Sequence, residues 1–137
     1  MKLPYYLKVT DKVKYADSKM FRIRINPSYK DNVGLMAHEE QHVKQWYMFF
    51  VPLFLLAVCS WFLYREDVAL GLAVLAFTLK GLLYTLLPRV RLAFEVDAYK
   101  AQMDALNDTS YSYYAELIVN GYDVDKTVEQ VVAMLKS

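Results

Sequence analysis

A single cysteine in 137 residues, Cys59, finds no partner within the chain, which excludes an internal disulfide and any cysteine-based zinc site. It sits inside an apolar run, where the expectation is a buried small hydrophobe. An excess of either charge is missing too. Sixteen basic and fifteen acidic side chains leave a net +1, so no overall field favours nucleic acid, and none is expected as a partner. Repeats and low-complexity segments are absent. The N-terminal "MKLPYYLKVTDKVKYADSKMF" has lysines but no apolar stretch ahead of small residues, so no signal peptide is expected. What the chain has in plenty is apolar surface: 56% of its residues are hydrophobic, above the roughly 45–50% usual in soluble domains. Its length suits one domain.

Three zones divide it. Residues 1–33 are basic and tyrosine-rich, and "KMFRIRINPSY" alternates Phe21, Ile23 and Ile25 with Arg22 and Arg24 before an Asn26-Pro27 turn, the pattern of a short half-buried strand. "YYLKVTDKVKY" offers a second strand that can pair with it. From Gly34 the period becomes helical, after a capping region at Asp31-Asn32. This motif helix, residues 34–45, leads into a hydrophobic hairpin, residues 46–87. Trp46 to Tyr64 is 19 residues without a charge, and Val68 to Leu87 is 20 residues with only Lys80. As helices each spans about 30 Å, the thickness of a bilayer core. Aromatics at the run ends, Trp46, Tyr47, Trp61, Tyr64 and Tyr84, fit membrane interfaces, and Gly71 and Gly81 offer close-packing points. The alternative is a buried hairpin in a soluble bundle, which Pro52 and Lys80 would suit. Lys44 before the hairpin and Arg89 and Arg91 after it place both termini on the cytoplasmic side of a membrane. Residues 88–137 read as three helices: one through "RVRLAFEVDAYKAQMDAL", one stopped at Asn120-Gly121, and one capped by Asp125 or Thr127. The expected fold is mainly α with a small N-terminal β element.

His38-Glu39-Glu40-Gln41-His42 is an H-E-x-x-H pattern, and residues four apart on a helix share a face. His38 and His42 are the only histidines, and together they can offer imidazole nitrogens to one ion. Zinc is the expected metal, because two imidazoles and a carboxylate suit it and leave a position for water. Glu39, at the edge of that face, can take a proton from such a water. Glu40 and Gln41 read as solvated positions.

With no histidine left, a third ligand must be a carboxylate. Glu95 is the first choice, since a hairpin that leaves and re-enters the same membrane face returns it close to His42, with small Ala98 one turn on to permit close approach. Asp97 and Asp104 are the alternatives, each more in keeping with a surface carboxylate.

Through "HEEQH" and "FEVDAY" the chain resembles the gluzincin metallopeptidases, and among them the small membrane-embedded varieties, over Ile23 to about Gln102. The resemblance implies His38, His42 and Glu95 as zinc ligands and Glu39 as general base, with one Zn2+ per chain. It also implies an edge strand ahead of the motif helix that holds substrate by strand addition, here Phe21, Ile23 and Ile25. The aspartate that often orients a ligand histidine one turn beyond the glutamate is replaced by Ala98 and Tyr99. For the oxyanion no residue stands out among Tyr111, Tyr113, Tyr114, Arg89 and Arg91.

The expected function is thus a zinc-dependent, membrane-embedded peptidase that hydrolyses a peptide or protein substrate with a metal-activated water and Glu39 as base, in contact with membrane lipid. A non-enzymatic membrane or virion component that uses the zinc site as a structural clip is the second expectation, and a metal-free membrane anchor the third.

Overall fold

The computed structural model describes residues 3–63, 65–122 and 124–137. Three short strands come first: β1 (Tyr6–Val9), β2 (Ala16–Lys19) and β3 (Arg22–Ile25). The alternation in β3 buries Ile23 and Ile25 completely, while Phe21 just ahead of the strand stays half exposed and leans on the Trp46 ring. β2 and β3 form an antiparallel hairpin whose tight turn holds Met20 at a positive φ of 56°. The hairpin is fastened by the cross-strand ion pair of Asp17 and Arg24, which face each other in register. β1 pairs in parallel on the other side of β3, so the sheet order is β1-β3-β2. The third strand, β2, was hidden in the sequence because "ADSK" carries no apolar alternation.

Asn26 closes this segment twice: its side-chain amide donates to the Val13 carbonyl at 2.9 Å, and its carbonyl oxygen accepts from the Ser28 backbone at 3.0 Å as Pro27 opens a single helical turn. Helix α1 (Val33–Phe62) then begins on the Asn32 cap, whose side chain accepts from the Leu35 N–H at 2.8 Å. At 30 residues it is about 45 Å long, and Pro52 does not end it. Helix α2 (Glu66–Leu86) packs back along α1. Their contact is made by small residues, Ala57, Ala69 and Ala76, all buried, and by an aromatic ladder in which Phe50 stacks on Trp46 and Phe54 and meets the edge of Phe77. Gly71 and Gly81 have no neighbour within 4 Å of where a Cβ would lie, so neither serves as a packing point of the hairpin.

Both helices are long and apolar enough to cross a membrane. Only 17% and 11% of their most apolar windows are buried within the chain, unlike the core helix of a soluble bundle. Leu55, Phe62, Leu70 and Val74 point outward, and so does Cys59, which is exposed and not the buried hydrophobe expected. The reason is that Ala57 rather than Cys59 occupies the contact with α2. Tyr64, expected at the end of the first run, lies outside the described residues.

Helix α3 (Pro88–Leu106) starts with proline at its first turn and stops at Asn107, held left-handed at φ 51°. Arg91 reaches back to the C-terminal carbonyls of α2, donating to Tyr84 at 3.1 Å and Thr85 at 3.0 Å, and so fixes the corner between the two helices. Helices α4 (Tyr111–Gly121) and α5 (Val128–Lys136) follow, the latter opened by a capping box of Thr127 and Gln130. Leu92, Val96, Met103, Tyr114, Ala115, Ile118, Val131 and Leu135 form the core they share with α3. The chain is therefore mainly helical with a small N-terminal sheet, as the sequence led us to expect.

Candidate metal centre

α1 also packs against α3, and this contact positions the polar cluster. Gly34 belongs to it: a Cβ there would fall 2.5 Å from the Leu106 side chain, so the two helices approach closely just before the motif. His38, Glu39 and His42 are all buried, and so is Glu95 from α3, at 1% exposure. The structure brings His38, His42 and Glu95 together with one potential ligand atom from each, all within 4.8 Å of one another. His42 Nε2 lies 3.4 Å from Glu95 Oε1 and His38 Nε2 lies 3.6 Å from Oε2. Such distances exceed a good N–H···O hydrogen bond. They match two ligands on a tetrahedral zinc, whose bond lengths of about 2.0–2.2 Å put donor atoms roughly 3.4 Å apart. Glu95 Oε2 is buried without a hydrogen-bond partner among the described residues, an orphan that a cation at this point would satisfy. The donor set and its spacing therefore fit zinc. Asp97 and Asp104 are exposed on α3 and take no part.

The surroundings hold these groups in the required form. Gln45, one turn beyond His42 and nearly fully buried, donates from Nε2 to the Phe94 carbonyl at 2.9 Å. Its Oε1 is left as an acceptor for His42 Nδ1, also at 2.9 Å. The proton must then sit on Nδ1, and the lone pair of Nε2 faces Glu95. Gln45 thus orients His42 and ties the imidazole to the backbone of α3 beside Glu95. Tyr84 on α2 donates its hydroxyl to Glu95 Oε1 at 2.6 Å. Tyr99 sets its ring 4.5 Å from that of His38. His38 Nδ1 has no hydrogen bond among the described residues; Gln102 is near enough to favour the charged form of His38.

Burial and the charges decide the protonation states. Burial alone would push the Glu95 carboxyl up, but His42, the Tyr84 hydroxyl and His38 together hold it down to about 2. Burial first, and then the neighbouring His42, lower His38 to about 4 against the pull of Glu95, so its imidazole is neutral near pH 7. Burial pushes Glu39 above the usual carboxylate range, with His42 and the nearby Ser18 hydroxyl of β2 offsetting part of the effect. Tyr99 is pushed up to about 12 and Tyr122 further still, by burial first and then by the charge of Glu95. These phenols remain protonated donors facing the site.

Other expectations need correction. β3 is hydrogen-bonded on both sides, so Ile23 and Ile25 are core residues, and neither they nor Phe21 can hold a peptide by strand addition. The open edge near the site is β2, through Ser18. Glu40 is not simply solvated; it accepts from the Tyr5 hydroxyl at 2.6 Å and anchors the N-terminal segment. Among the residues considered for an oxyanion, Tyr114 is built into the C-terminal core and bonded to Asp108, Tyr111 packs against that same core, Tyr113 and Arg89 are exposed, and Arg91 is spent on α2. The groups next to Glu95 are Tyr84, Tyr99 and Tyr122 instead. Tyr84 drew notice only as an interface aromatic. Gln45 left one usable trace, a polar residue three places after His42 on the same helical face.

No protein-family model, curated protein or solved structure matches this chain.

Proposed function

We propose that this protein is a zinc-dependent peptidase embedded in a membrane by α1 and α2, with His38, His42 and Glu95 as ligands and Glu39 as general base. The observation that carries the reading is the gap between the two imidazoles and the orphaned Glu95 oxygen, sized for one ion. Zinc held there would supply a Lewis acid that polarises a peptide carbonyl and acidifies a water. Glu39, buried beside the ligands and raised in pKa, accepts a proton near neutral pH more readily than a surface carboxylate and returns it to the leaving amine. Gln45 keeps His42 in the binding tautomer, and Tyr84 keeps Glu95 aimed at the ion. The free edge of β2 lies beside Glu39, where an extended peptide can add as a further strand.

Membrane insertion is supported by the outward apolar faces of α1 and α2. In this reading the membrane-spanning part of α1 begins at Met48, where its outward side chains turn apolar, so the ligands and Glu39 lie outside it, level with Tyr84 in the last turn of α2. Basic residues on the same flank, Lys44, Arg89 and Arg91, support a cytoplasmic position for that level and both termini.

A structural zinc clip is the competing reading, and Glu39 argues against it: a clip gains nothing from an extra buried carboxylate, which costs stability to desolvate. The test is metal analysis and peptide hydrolysis on the purified chain in detergent. We expect about one zinc per chain, and a Glu39→Gln variant that keeps the metal while losing hydrolysis by at least about 100-fold. Absence of zinc rejects the reading. Retention of full activity in Glu39→Gln assigns the chemistry elsewhere.

A further inference from the structure

The one charged residue between Val68 and Leu87 is Lys80, a turn before Tyr84 on α2. A lysine in an apolar span either extends to the membrane interface or turns into the protein. Lys80 turns inward and is half-buried. Its Nζ lies 5.3 Å from the centre of the Tyr84 ring and 5.6 Å from that of Phe94. These rings bracket Glu95: the Tyr84 hydroxyl is bonded to Glu95 Oε1, and Phe94 immediately precedes Glu95. The charges of Glu95 and Glu39 both reach the ammonium. Yet among the described residues no carboxylate lies within ion-pair distance of it. Aromatic faces ease the cost of such a cation without neutralising it.

We propose that Lys80 is a ligand-binding residue of the site, recognising an anionic oxygen of a bound peptide. That oxygen is either the peptide's terminal carboxylate or the negative oxygen that develops on the attacked carbonyl carbon. The inference rests on the metal-site reading above. Tyr84 and Phe94 offer the ammonium their ring faces, which leaves its N–H donors for the ligand.

Two phosphinic dipeptides test it, one with a free terminal carboxylate and one with a terminal carboxamide, titrated into the zinc-loaded full chain in detergent micelles. Lys80→Met should weaken binding about 10–100-fold at an unchanged zinc content, and Lys80→Arg should restore it to within a few-fold. Weakening of the carboxylate probe alone makes the terminal carboxylate the partner. Equal weakening of both makes it the phosphinate oxygen, and hence the developing oxyanion. Unchanged affinity for both probes in Lys80→Met, at one zinc per chain, overturns the Lys80 assignment alone, as does failure of the zinc-loaded wild type to bind either probe. Loss of zinc from Lys80→Met also overturns it, by giving the lysine a purely structural part. A wild-type chain that takes up no zinc overturns the metal reading and this assignment together.

Discussion

The two halves of α1 follow opposite rules. From Gly34 to Trp46 its buried positions include His38, Glu39, His42 and Gln45, while from Met48 to Phe62 only Ala57 is buried and Val51, Leu55, Leu56, Val58 and Phe62 stand exposed. In water the usual arrangement is the reverse. The first half buries its polar groups against other elements: Gln45 donates to Phe94 O, Glu95 faces both imidazoles, and Ser18 lies near Glu39, while His38 Nδ1 and Glu95 Oε2 stay without a hydrogen bond among the described residues. The second half tolerates apolar exposure only where its solvent is itself apolar. One helix thus joins a buried polar cluster to an outward apolar face long enough to cross a membrane.

The largest break in this contrast is Glu95→Ala. It removes the partner of both imidazoles, and we expect zinc to fall from about one per chain to near none by metal analysis, with the hairpin still inserted. Next is Leu55→Lys in the other half. A lysine near the bilayer centre costs about 2.5–3.5 kcal/mol of insertion, measurable as loss of carbonate-resistant membrane association, whereas zinc affinity of the solubilised protein should not change. Gln45→Leu comes third: it frees the tautomer of His42 and should weaken zinc about 10–100-fold in a chelator competition.

Acid should separate the halves more gently. The folded pKa of His38 lies below its unfolded value, so as pH falls from 6.5 to about 4 the unfolded chain gains the proton first and stability declines. Glu95 is also depressed; its contribution is present above 4.5 and lost as pH falls from there to about 2. Metal-free protein should therefore melt at progressively lower temperature below pH 6.5, and His38→Gln should remove the upper part of that decline. The apolar half carries no such dependence. The smallest effect belongs to Cys59→Ser, within about 0.5 kcal/mol because the side chain touches nothing essential. In membranes Cys59 itself should react with a lipid-soluble maleimide and resist an impermeant one.

Much of the helical layout was readable because its signals are local: the Asn32 cap, the change of period at Gly34, the polar break near Arg65, the stops at Asn107 and Gly121. The meeting of Glu95 with the histidines was readable too, since a hairpin of two equal spans has to return near its start. What escaped were pairings set by three-dimensional neighbours. β2 has no apolar pattern and exists because β3 offers it an edge, which moved the open edge from Phe21–Ile25 to Ser18 and its neighbours. Gly71 and Gly81 offered close-packing points but have no neighbour within 4 Å of where a Cβ would lie.

By itself, then, the sequence determined the spans, the helix ends and the three groups able to hold an ion, because periodicity, capping and residue chemistry act over a few neighbouring positions. Only the tertiary structure decided how that site is supported: Gln45 on the Phe94 carbonyl, Tyr84 on Glu95, and Lys80 beside two rings with no carboxylate at ion-pair distance among the described residues. The physical reason is range. A hydrogen bond or a charge contact forms across a few ångströms of space, and which side chains share that space depends on how α1, α2 and α3 pack.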